Sequence, residues 1–180
     1  CTAQKQQEKK KERRQMELMQ ALTVDYSTVC FFNLNTGKGI SIRCDEKDSR
    51  AFAPNADGNI YFHESMEHYI QTTVHEEDRE KLRQFACASY LVQGLANADV
   101  QHVNYRAVID GEILYYQLKA VRAGKWEKQQ GIVLGFRSVD VEIRREMEQK
   151  SLLENALLQA NRASKAKSVF LSNMSHDIRT

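Results

Sequence analysis

The stretch that most constrains this chain is Ser151–Thr180, which contains neither proline nor glycine and is rich in Ala, Leu, Gln, Lys and Arg. These residue types lose little on entering a helix, so one continuous helix is expected. At about 100° per residue, Leu152, Leu153, Ala156, Leu157, Ala160, Ala163, Phe170, Leu171, Met174 and Ile178 fall on one broad stripe. Within it Leu153, Leu157, Ala160, Ser164, Lys167, Leu171, Met174 and Ile178 alternate spacings of four and three, the seam of a coiled coil or helical bundle.

His176 points away from that stripe, with Ser172, Arg179 and Thr180 on its side, three or four residues distant. A histidine there is not needed for packing, and a neutral, solvated imidazole is a competent nucleophile. Asp177 could fix one ring nitrogen and leave the other free to attack. Neighbours on a helix diverge, so that pairing requires a turned side chain.

The run Phe170-Leu-Ser-Asn-Met-Ser-His176-Asp177-Ile-Arg-Thr180 resembles the phosphoacceptor box of sensor histidine kinases. In that family a helix of a dimeric four-helix bundle carries Asn-Met-Ser-His-Asp/Glu-x-x-Thr followed by proline, and the match here is unbroken to Thr180. The resemblance implies that His176 receives the γ-phosphoryl group of ATP and passes it to an aspartate of a response-regulator receiver domain. It implies Asp177 as acid-base partner and Thr180 as the residue that positions water for the phosphatase reaction. Phosphoryl transfer depends on positioning and on charge stabilisation by metal and basic groups. ATP and Mg are therefore the cofactors expected of the intact kinase, and none of this stretch alone. No glycine-rich nucleotide loop follows His176, so this stretch by itself is expected to be inactive.

Net charge of +2 and the lack of a basic stripe interleaved with aromatics exclude a nucleic-acid binder. Cys1, Cys30, Cys44 and Cys87 have no C-x-x-C spacing, which argues against a metal site and against a disulfide framework. No apolar run approaches the roughly 18 residues that span a bilayer, and no signal peptide is visible. A cytoplasmic location is expected, with a membrane anchor further upstream left open.

Residues 1–23 read as a polar helix carrying Lys5, Lys9, Lys10, Lys11, Arg13 and Arg14, with an apolar face only at Met16, Leu18, Met19 and Leu22. That basic cluster is either a solvated helix or a segment just inside a membrane. From Tyr26 the period changes. Val29–Leu34 and Gly39–Cys44 form a hairpin, 45–58 is an irregular loop, Glu64–Val74 and Glu76–Leu91 are helices, and Gly94 is a plausible stop. Three strands follow: Val103–Ile109, then Leu114–Ala120 after an Asp110-Gly111 turn, then Ile132–Val139 after a polar loop containing Trp126.

This order, with Tyr105-Arg-Ala-Val-Ile-Asp-Gly-Glu, Tyr115-Tyr116-x-Leu118-x-Ala120, Val74-His75-Glu-Glu-Asp78-Arg79 and Gly135-Phe-Arg-Ser-Val-Asp140-Val, resembles a PAS domain. Glu76 stands where that family has proline, and Val141 where it has threonine or serine. The resemblance implies an α+β fold, a five-stranded antiparallel sheet with flanking short helices that enclose a cavity. Around it lie the N-terminal helix and a long C-terminal coiled-coil helix. The division is 1–23 N-terminal helix, 24–141 PAS sensor, 142–168 coiled-coil signalling linker and 169–180 truncated phosphoacceptor helix.

The cavity takes an unidentified small molecule or nothing; the cofactor-binding residues are unknown. The Asn-Cys-Arg signature of flavin-binding light sensors is absent. Haem would need an axial histidine such as His63, His68 or His75, of which His75 reads better as a helix-start residue. Phe31, Tyr69, Phe85, Tyr105, Tyr116 and Phe136 could simply fill the space. The resulting reading is the sensing region of a two-component histidine kinase. The alternatives are a homodimerisation module without ligand, or a PAS regulator of another output domain such as a nucleotide cyclase.

Overall fold

In the computed structural model, which describes residues 2–124 and 126–179, β-branched and aromatic runs become strands and Asp/Gly pairs become turns. The chain divides into two units, Cys1–Val139 and Asp140–Thr180. The first contains α1 (Thr2–Leu22), β1 (Thr28–Asn33), β2 (Lys38–Cys44), β3 (Ile60–Tyr61), α2 (Phe62–Thr73), α3 (Arg79–Phe85), α4 (Ala88–Asn97), β4 (Val100–Ile109), β5 (Glu112–Ala123), α5 (Trp126–Gln129) and β6 (Gly131–Ser138). The second is one helix, α6 (Asp140–Arg179).

The sheet runs β3-β2-β1-β6-β5-β4, and every pairing is antiparallel. It has six strands rather than five, because Ile60 and Tyr61 add a two-residue edge pairing with Gly39 and Lys38. The β4–β5 ladder closes through Asp110 and Gly111 at φ 52° and 83°. Two successive positive φ values are what a tight hairpin turn of matching twist requires.

One sheet face carries Cys30, Phe32, Tyr105, Leu118, Leu134 and Phe136 against α2, α3 and α4, which contribute Met66, Tyr69, Ile70, Leu82, Leu91 and Leu95. Phe31 alternates to the opposite face, where its ring lies over Gly131, so it does not fill the interior. Tyr26 covers that outer face too: its ring sits 2.6 Å from where a Cβ on Gly135 would be.

The single helix expected over Glu76–Leu91 is broken. A short 3-10 turn spans Glu76–Asp78, α3 ends at Phe85, and Cys87 turns extended at φ −72° and ψ 126° before α4. On an unbroken helix Leu91 and Leu95 would lie roughly 180–220° around the axis from Leu82. The break lets all three bury. Gly94 does not stop α4 but permits close approach of β4, since a Cβ there would meet the Gln101 side chain at 3.1 Å. Tyr90, for which the helical spacing with Leu82, Phe85 and Ala86 predicts a core position, is half exposed. The segment 45–58 includes a 3-10 turn at Glu46–Asp48, and Trp126 opens α5 and packs against the core.

Candidate functional site

α6 contains no buried residue, so its apolar stripe is bare in the single chain: Leu153 is 71% exposed, Leu157 61%, Phe170 61% and Ile178 79%. The helix opens with Asp140 and Glu142 in its first turn and has Arg179 in its last, charges matched to the helix dipole at each end. The Arg144 Nε donates to Asp140 Oδ2 at 2.7 Å, one turn back. His176 and Asp177 are consecutive, exposed residues of this helix, so it sets them side by side rather than face to face. Counting about 100° per residue from Leu171, Met174 and Ile178, His176 lies on the side opposite the seam. Thr180 lies outside the described residues.

The interior is filled by aromatic rings. Tyr69 packs against Phe136 at 4.8 Å and Phe52 at 5.8 Å between ring centres, and its hydroxyl lies 2.6 Å from that of Tyr105. Burial pushes both phenols above their usual pKa. Phe85, Tyr116 and Phe136 also bury, as expected of them.

At the edge of this interior the Asp48 carboxylate is fully enclosed. The Thr28 hydroxyl donates to Asp48 Oδ2 at 2.7 Å, the Lys47 ammonium lies 3.5 Å from the same oxygen, and Oδ1 has no protein partner. Lys47 also sits 4.6 Å over the Tyr116 ring and 3.2 Å from its hydroxyl. Outside lies an open cleft of about 410 Å³ lined by Lys47, Asp48, Arg50, His68, Thr72 and Asp110, among others. Sequence reading missed Lys47 and Asp48, because in Cys44-Asp-Glu-Lys-Asp48 nothing separates the buried carboxylate from solvated ones.

The His75–Asp78 motif serves the fold. His75 Nδ1 accepts from the Glu77 amide at 3.4 Å. Asp78 accepts from the Arg106 amide at 2.7 Å and its guanidinium at 2.9 Å, tying the start of α3 to β4. The Arg106 hydrogen bonds hold the Asp78 carboxyl down at about 2. His63 and His68 are exposed on α2, away from the interior where an axial ligand would sit. Cys30 is buried, and burial pushes its thiol up to about 12. Cys87 is exposed at the start of α4, and hydrogen bonds with the Ser89 hydroxyl and nearby amides lower its pKa. Among the described residues no three His, Cys, Asp or Glu side chains are grouped to hold a metal ion, and no helix is long and apolar enough to cross a membrane.

No family model and no curated protein matches the chain. Two solved structures similar to it are the N-terminal domain of a diguanylate cyclase with PAS/PAC sensor from Marinobacter aquaeolei and the PAS domain of BvgS from Bordetella pertussis. The first is 13% identical, with 64% of this chain and 96% of that one covered and a TM-score of 0.41. The second is 13% identical, with 77% and 97% covered and a TM-score of 0.41.

Proposed function

We propose that this chain is the sensing and phosphoacceptor-bearing part of a two-component histidine kinase: a PAS-like body followed by a helix whose His176 takes phosphate from ATP and delivers it to a receiver domain. The observation that carries this reading is the unbroken run Phe170–Asp177 on a continuous helix, with His176 on the side opposite a bare apolar seam. Only Val139 separates the last strand of the sheet from that helix. A change in β6 thus passes directly into α6, where a small rotation or shift would bias a two-state bundle.

In this reading the seam pairs with a second copy, Asp177 assists the imidazole, Thr180 positions water in the reverse reaction, and the protein works in the cytoplasm with ATP and Mg at a catalytic domain. The test is to supply a histidine-kinase ATP-binding domain, Mg and labelled ATP and to locate acid-labile phosphate by mass spectrometry. His176 takes the label; a His176→Gln variant that still accepts it overturns the assignment.

A second reading, an interaction module with no ligand, draws on the aromatic rings that fill the interior. Titrating small-molecule libraries against thermal unfolding separates the two kinds of input. A stabilising ligand whose effect disappears in an interior variant favours a ligand sensor.

A further inference from the structure

We propose that α6 pairs with α6 of a second copy in parallel and in register, and that Lys167 meets its counterpart midway along the seam, forming a cationic waist between two apolar grips. The inference rests on the homodimer reading above and adds where that dimer is weak.

The large apolar side chains between Leu152 and Ile178 are 45–79% exposed. Full burial of a leucine-sized side chain removes on the order of 100 Å² from water, so covering this half-exposed stripe on two copies buries on the order of 1,000 Å². That lies near the lower edge of specific interfaces, about 1,200 Å². The area therefore supports a reversible dimer rather than a permanent one.

The seam is uneven. Leu153 and Leu157 grip at one end and Leu171, Met174 and Ile178 at the other, whereas Ala160, Ser164 and Lys167 occupy the middle. Ser168 beside them turns its hydroxyl onto its own helix, donating to the Ser164 carbonyl at 3.0 Å. Charge follows the same division. Acidic and basic residues alternate through Glu154, but from Asn155 to His176 there are Arg162, Lys165 and Lys167 and no acidic residue. In a parallel, in-register pair equal positions meet, so Lys167 faces Lys167 with no carboxylate in the seam to neutralise it. A charged residue at a single seam position fixes register at a cost in stability. An antiparallel or staggered pairing would set Lys167 against a different residue and remove the like-charge contact.

Sedimentation equilibrium of the full 180-residue chain at low and high NaCl tests this. Screening weakens like-charge repulsion, so wild-type dimerisation tightens several-fold with salt. Lys167→Leu tightens it by roughly tenfold at low salt, as removal of a charged residue from a packed seam should, and Lys167→Gln abolishes most of the salt response. Lys165→Leu, about 130° from the seam, changes the constant less than about twofold. A dimer indifferent to Lys167, or equally affected by Lys165, overturns the waist while leaving the dimer. A chain that stays monomeric at every concentration removes the homodimer reading itself.

Discussion

At the scale of single residues, the Tyr69–Tyr105 pair and the Asp78–Arg106 pair carry the sharpest energetic expectations. The two buried hydroxyls share one hydrogen bond. Tyr69→Phe or Tyr105→Phe alone leaves the other hydroxyl unpaired in the core and should cost about 1–3 kcal/mol, whereas removing both should cost much less than the sum. Chemical denaturation of the two single variants and the double variant measures the coupling. Asp78 behaves differently because it titrates. Its folded pKa of about 2 lies below the ordinary 3.8, so its contribution is fully present above 3.8 and is lost as pH falls through about 2. With a side chain only 14% exposed, that shift corresponds to roughly 2 kcal/mol. Asp78→Asn should lower unfolding stability at neutral pH by that order, and should flatten the acid limb of the stability–pH curve. Neither pairing is legible in the sequence: Tyr69 and Tyr105 are among the aromatics that could fill the interior, but nothing in their spacing tells that their hydroxyls meet.

At the scale of elements, legibility followed how local the determinant was. The Asp110-Gly111 turn, the β1–β2 hairpin and the uninterrupted α6 were readable, because turn chemistry and the absence of proline and glycine act within a few residues. The α3–α4 break was not, since it is imposed by where Leu82, Leu91 and Leu95 must sit against the sheet, a tertiary demand that overrides helix propensity. The edge strand β3 is illegible for a different reason: two residues carry no periodicity. Gly111 at φ 83° offers a direct check of the turn. Gly111→Ala should destabilise by about 1–2 kcal/mol, and the loss should appear in equilibrium unfolding rather than in helix content.

At the scale of the whole molecule, the candidate site was legible as a motif rather than as a geometry. Met174, Ile178 and Leu171 define the seam side of α6, and His176 lies across the helix from them; in the proposed reading the first face associates and the second carries the chemistry. What sequence leaves open is the state of the interior, read as taking a small molecule or nothing; there the rings of Phe52, Tyr69 and Phe136 pack against one another. An input acting through this body would then work by repacking those rings or by altering β6, and would reach His176 through α6. The most direct test of that account is phosphopeptide mapping after incubation with labelled ATP, Mg and a histidine-kinase ATP-binding domain. The account predicts one acid-labile phosphate, on His176, absent from His176→Gln; a wild-type chain that takes no label, or a variant that keeps it, would contradict it.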